Sequence, residues 1–231
     1  MSLPEPLRRV AVASDLHLFA RRTRGRDLLG PLTKAAARTG TLVLAGDIVD
    51  VRWSTLGGPE ATARAADAWV RDVLAGAPSA EVHYVLGNHD DTQEIREVLG
   101  ALSRAEERFN WHPRHLRLGS ALFVHGDVDR PRKSDHGSTP GPARERAYAA
   151  AIALHLHRAA AAIAFPHRTV LRGLHRYADR LEAGGEEPIR DVFFGHTHRP
   201  VARACYRGRR YHNGGAPIDG VDFRIIEEDI S

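Results

Sequence analysis

The chain has 231 residues, enough for one globular domain, and is 42% hydrophobic and 27% charged. That balance excludes a disordered polymer and leaves material for a sizeable core. The net charge of +4 is carried almost wholly by arginine, Lys34 and Lys133 being the only lysines. Arginine grips phosphate with a planar fork, so an anionic substrate or surface is permitted without being identified.

The single cysteine, Cys205, excludes an intrachain disulfide and fits a reducing compartment. Pro4 and Pro6 lead straight into Arg8 and Arg9 without an apolar run. No secretory leader is therefore read, and a cytoplasmic location is expected. Spanning a bilayer takes about 20 apolar residues. The nearest stretch, 147–165, is interrupted by His155, His157 and Arg158.

Taken in chain order, five short apolar runs read as buried strands, each ending in polar, metal-seeking residues. The run 10–13 leads into Ser14-Asp15-Leu16-His17, and 41–45 into Gly46-Asp47-Ile48-Val49-Asp50. The run 82–86 leads into Gly87-Asn88-His89-Asp90, and 121–124 into His125-Gly126-Asp127. The fifth, 191–194, leads into Gly195-His196-Thr197-His198. Helices are predicted over 27–39 and 59–74, the second opening on Pro59 and Glu60. A short helix over 92–99 is one that Asp91 could cap. A hairpin over 202–206 and 209–212 turns at Gly208, and 221–227 supplies the last strand. Helices outside strand layers predict a layered α/β sandwich in a single domain, 1–231.

One region breaks this rhythm. Residues 130–142 are rich in Pro, Gly, Ser and charge and read as a loop; 143–165 and 167–182 read as helices split by Pro166. We take 130–189 as a helical insert, a candidate lid.

In open α/β sheets ligands bind beyond the carboxyl ends of the strands, which is where these polar residues fall. Asp15 and His17 lie two apart, on one face of an extended strand end. Asp47 could bridge two cations through its two oxygens. Asn88 adds a neutral oxygen, while His125, His196 and His198 add imidazole nitrogens. Without thiolate, this set suits Mn²⁺, Fe or Zn²⁺ better than Ca²⁺, Mn²⁺ being the first expectation. Seven ligands divide between two divalent metal ions sharing Asp47, and such a pair can clamp a phosphoryl group. Taken singly, each motif has a bland reading as a turn or a helix cap. Five in order, each after a strand, make coincidence improbable.

Together these motifs resemble the calcineurin-like metallophosphoesterase superfamily, from residue 10 to about 200. The resemblance implies a four-layer αββα metallophosphoesterase sandwich. It places Asp15, His17, Asp47 and His198 on one metal, and Asp47, Asn88, His125 and His196 on the other. It also implies that His89 protonates the leaving group or holds the phosphate, oriented by Asp50. His83, His112, His115, His155, His157, His167, His175 and His212 are expected to stay off the catalytic metals.

Within the superfamily the chain most resembles UDP-2,3-diacylglucosamine diphosphatases of lipid A synthesis, in length, in Trp53 after the Gly-Asp motif and in the placing of the insert. That implies hydrolysis of a nucleotide-linked glycolipid to UMP and diacylglucosamine 1-phosphate. The best-known branch of those enzymes carries Arg where this chain has His89. Within the insert, 149–165 is apolar nearly all round. The next segment sets Val170, Leu171, Leu174, Tyr177 and Leu181 on one side and Arg168, Arg172, Arg176 and Arg180 on another. Such a basic amphipathic helix can lie on an anionic membrane surface, here the inner membrane, although most such helices simply pack on a core. Arg21, Arg22 and Arg24 could hold a pyrophosphate. The alternative is a soluble metal-dependent phosphodiesterase or nuclease acting on nucleotides; a metal-binding scaffold without catalysis is the third reading. No obligatory protein partner is inferred.

Overall fold

The computed structural model describes residues 7–128, 150, 167–185 and 187–231. The expected loop 130–142 and the first insert helix, 143–165, lie outside the described residues.

Two five-stranded sheets stack face to face. The first has the order β10-β1-β2-β3-β4, built from β1 (Arg8–Ala13), β2 (Thr41–Ala45), β3 (Glu81–Val85), β4 (Phe109–His112) and β10 (Ile226–Ile230). The second has the order β5-β6-β7-β9-β8, built from β5 (His115–Leu118), β6 (Ala121–Val124), β7 (Asp191–Phe194), β8 (Val201–Tyr206) and β9 (Arg209–Asn213). Strands β1 to β4 run parallel, as do β6, β7 and β9. Their carboxyl ends therefore reach one edge in each sheet, and the turns that follow carry the polar motifs.

Alternation along the strands builds the layers. Ala11, Leu42 and Leu44 face outward beneath α1 (Leu29–Thr39), α2 (Pro59–Gly76) and α3 (Gln93–Ala105). Val10, Val12, Val43 and Val85 face inward against Phe123 and Phe193 of the second sheet. The outer face of that sheet, with Leu122, Val124, Val192 and Phe194, is covered by α4 (His167–Ala183). Strands buried on both faces must be apolar throughout, which is why they read as unbroken runs. The order of layers is helix, sheet, sheet, helix.

Helix α4 answers part of the question about the insert. Leu171, Leu174 and Ala178 are buried on the second sheet, and Val170, Tyr177 and Leu181 pack against the same cluster. Its apolar face is therefore occupied by core, while Arg168, Arg172, Arg176 and Arg180 are exposed. Among the described residues no helix is long and apolar enough to cross a membrane.

Two elements differ most from expectation. Helix α3 runs on past Leu99 to Ala105 because Leu102 continues the buried stripe of Ile95 and Leu99. Its cap is Thr92, whose hydroxyl accepts the Ile95 amide at 3.3 Å, whereas Asp91 pairs with Arg96 at 2.6 Å. The last strand is Ile226–Ile230 rather than 221–227. Val221 instead closes a small cluster with Ala216 and Ile218, and acidic 227–229 enters the sheet because Glu228 is paired by Arg203. His112 ends β4 and His115 opens β5, so these two flank strands that the apolar pattern did not delimit.

Candidate metal centre

The turns after the strands are held in an unusual backbone state. Asp15, His17, Asp47, His196 and His198 have φ of 55, 46, 52, 66 and 54°. For residues with a Cβ this left-handed region costs roughly 1–2 kcal/mol each. Such strain persists only where surrounding structure over-determines it. Here the amides of Asp15, His17 and Leu18 donate to the carbonyls of Gly46, Asp47 and Ile48 at 2.9, 3.0 and 2.8 Å. The His196 amide donates to Asp15 Oδ1 at 2.9 Å, and the His89 amide to Asp47 Oδ1 at 2.8 Å. One carboxylate thus joins the two sheets, and the other joins two neighbouring loops.

The side chains converge into two groups. Asp15, His17 and His198 form one and Asp47, His125 and His196 the other; within each, the candidate ligand atoms lie within 4.8 Å of one another. His17 Nε2 is 3.1 Å from His198 Nε2, which is 3.5 Å from Asp15 Oδ1. His125 Nε2 is 3.1 Å from Asp47 Oδ2, 3.1 Å from Asn88 Oδ1 and 3.2 Å from His196 Nδ1. Two ligands on one tetrahedral Zn²⁺-like ion stand about 3.0–3.5 Å apart, so the spacings suit shared cations.

The electrostatics agree. Asp15 and Asp47 are buried and face imidazoles; among the described residues neither pairs with lysine or arginine. Burial works against a charge on His125, yet Asp47 and Asp15 raise its pKa to about 10. Burial likewise opposes a charge on His89, and Asp47 with Asp50 raises it to about 9. Burial and the neighbouring His125 push His196 down to about 4, leaving a neutral imidazole. Burial pushes Asp15 up, while His125 and His89 hold Asp47 well below the carboxylate range against the same penalty. Imidazolium protons thus balance buried carboxylates, the charge role that divalent cations take when ligands deprotonate.

Asp50 holds two histidines at once. Its Oδ2 is 3.0 Å from His17 Nδ1, and its Oδ1 is 3.0 Å from His89 Nδ1. Both rings therefore turn Nε2 away from Asp50, an orientation typical of carboxylate-backed metal ligands. His89 also falls within 4.8 Å of His17 and Asp47. These three form a third candidate group, which shares His17 with the first group and Asp47 with the second.

Sequence reasoning gave Asp90 no role, although its motif contained it. Buried Asp90 accepts the Ile48 amide at 2.9 Å, the Tyr84 hydroxyl at 2.8 Å and the Gly87 amide at 2.5 Å. It clamps the two loops that carry Asp47 and Asn88. Of the arginines, Arg22 lines a cavity beside His89 and His198, joined there by Arg52, which the sequence did not single out. Arg24 pairs with Asp219 at 3.7 Å, and Arg21 is exposed. His83, His112, His115, His175 and His212 stand outside the three candidate groups.

Glycines set the closest approaches. A Cβ at Gly87 would stand 2.1 Å from Asp47 Oδ1, and one at Gly195 2.3 Å from Asp15 Oδ2. That Cβ would also stand 2.4 Å from the Asp47 backbone nitrogen, so Gly87→Ala is expected to shift the whole Asp47 loop, lowering the melting temperature and weakening metal binding by about 10–100-fold. Metal titration beside a thermal melt checks this.

An α/β sandwich thus brings buried carboxylates and imidazoles together at its strand ends, a donor set that could hold divalent cations. Residues 8–200 match the family model described as calcineurin-like phosphoesterase. The chain belongs to that family and is a metal-dependent phosphoester hydrolase. A comparison with curated proteins finds no match.

Proposed function

We propose that this hydrolase acts through two divalent cations, Mn²⁺ first among them, with UDP-2,3-diacylglucosamine as the first candidate substrate. Asp15, His17, Asp47 and His198 would hold one ion; Asp47, Asn88, His125 and His196 would hold the other. The single observation that carries the two-ion reading is the convergence of two ligand groups, Asp15, His17 and His198 in one and Asp47, His125 and His196 in the other, with Asp47 also within 4.8 Å of His17. When bound, the cations supply Lewis acidity to the phosphoryl group and activate the attacking water.

The chain's own residues do the rest. Asp50 lies 3.0 Å from His89 Nδ1, and Nε2 is the ring atom left to pass a proton to the leaving oxygen. Asp50 fixes the ring through Nδ1, so the proton sits where a leaving group needs it.

The pyrophosphate reading draws on the resemblance already described and on an arginine-rimmed cavity at the site. Contact with an anionic membrane would fall to the exposed arginines of α4. The burial of that helix's apolar face favours a second reading, a soluble phosphodiesterase acting on nucleotides.

Mn²⁺-loaded protein in mild detergent is expected to release UMP from UDP-2,3-diacylglucosamine, with chelator abolishing release. Cleavage of bis(p-nitrophenyl) phosphate without UMP release would favour the second reading. Inertness toward both would count against a working two-metal centre.

A further inference from the structure

A cavity of about 460 Å³ opens on one side of the metal centre. Its lining includes His17, Asp50, His89 and His198, but neither His125 nor His196. The remaining wall has a mixed chemistry: Trp53 and Ile218 are apolar, while Arg22 and Arg52 bring two guanidinium groups. Such a volume accommodates one small-molecule moiety, and a few placed polar groups on an apolar wall are the mark of a ligand pocket.

The walls are tied together before any ligand arrives. Ala20 bridges to Ser54, and Thr23 bridges to Ile218. The Arg24 amide donates to the Pro217 carbonyl at 2.8 Å, and the Thr55 amide to the Phe19 carbonyl at 3.0 Å. Three separate loops are therefore joined through backbone hydrogen bonds, which lowers the ordering cost of binding. The Trp53 amide also donates to Asp50 Oδ1 at 2.9 Å. Asp50 thus sets the aromatic wall in register with His17 and His89.

We propose that this cavity is the subsite for the part of the substrate that does not react, and that its ligand class is a nucleotide. The planar ring lies against Trp53 and Ile218, and Arg22 and Arg52 take the phosphate that accompanies it. An acyl chain would gain nothing from two guanidinium groups, and a bare phosphate would leave the aromatic wall unused. The assignment rests on the two-metal reading for where the reacting phosphorus sits. Recognition of the ring needs no metal, so the two can fail separately.

The test is isothermal titration of the 231-residue chain, chelator-treated and Mn²⁺-loaded, with UMP, uridine and inorganic phosphate. UMP is expected to bind both forms. Trp53→Ala should weaken UMP and uridine about tenfold and leave phosphate unchanged, while Trp53→Phe restores most of the loss. Arg22→Ala and Arg52→Ala should each weaken UMP about tenfold while sparing uridine. Failure of UMP to bind the chelator-treated chain, while a generic diester is still cleaved with Mn²⁺, would overturn the subsite and leave the metal centre standing. Equal affinities for UMP and phosphate, or a Trp53→Ala protein with unchanged UMP affinity, would overturn it as well.

Discussion

Asp47→Ala is expected to lower turnover of bis(p-nitrophenyl) phosphate by about 10³-fold or more and to remove paired-metal occupancy in the same step. Asp47 stands where the two ligand groups meet. Its Oδ1 accepts the His89 amide at 2.8 Å, and its Oδ2 lies 3.1 Å from His125 Nε2. It is also buried, so its removal takes the one carboxylate that two of the candidate groups share out of a closed site. Metal content by mass spectrometry, measured beside turnover, checks the prediction. A variant that kept both ions and a tenth of its activity would show that Asp47 does not bridge. Asp47→Asn, which keeps the shape and one oxygen, should retain a single ion and still lack turnover.

Asp50→Asn and His89→Gln are expected to separate two roles that proximity blurs. His89→Gln should hold both cations while kcat falls by about 10²–10⁴-fold, the range for losing a positioned general acid. Asp50→Asn should do more, because the carboxylate supports His17 and His89 together. Burial opposes its charge, yet the hydrogen bonds from the two histidines hold it well below the usual carboxylate range. An amide in its place cannot accept from both rings through charged oxygens. Metal affinity should then drop about 10–100-fold, as for other groups that orient a ligand from behind, in addition to the loss in rate. Parallel metal titrations and single-turnover rates on the two variants decide it. Equal metal affinity in both would mean that Asp50 serves His89 alone.

Most of the strand layer could be read from residue order. Strands 41–45, 121–124 and 191–194 are matched residue for residue, because apolar runs ending in polar turns leave little room for register error. The edge strands were less legible. Residues 226–230 set three consecutive acids between two isoleucines, a pattern that looks solvated until Arg203 pairs with Glu228. The candidate ligands were visible through their place after each strand. Their left-handed backbone was not, since nothing in Asp15 or His198 as residue types announces a positive φ. Nor were the joint hold of Asp50 on His17 and His89 and the clamp made by Asp90, which depend on loops some forty residues apart meeting in space. Helix α4 shows the limit of pattern alone. Its amphipathic spacing fits a membrane surface and a protein core equally, and only the second sheet beneath it decides that its apolar face is core.

The central claim is a paired cation site shared through Asp47. Titrating chelator-treated protein with Mn²⁺ and following it by electron paramagnetic resonance tests that claim most directly. Two ions per chain and the exchange-coupled signal of a pair about 3.5–4 Å apart are expected. A stoichiometry of one ion, or two ions with uncoupled signals, would contradict it.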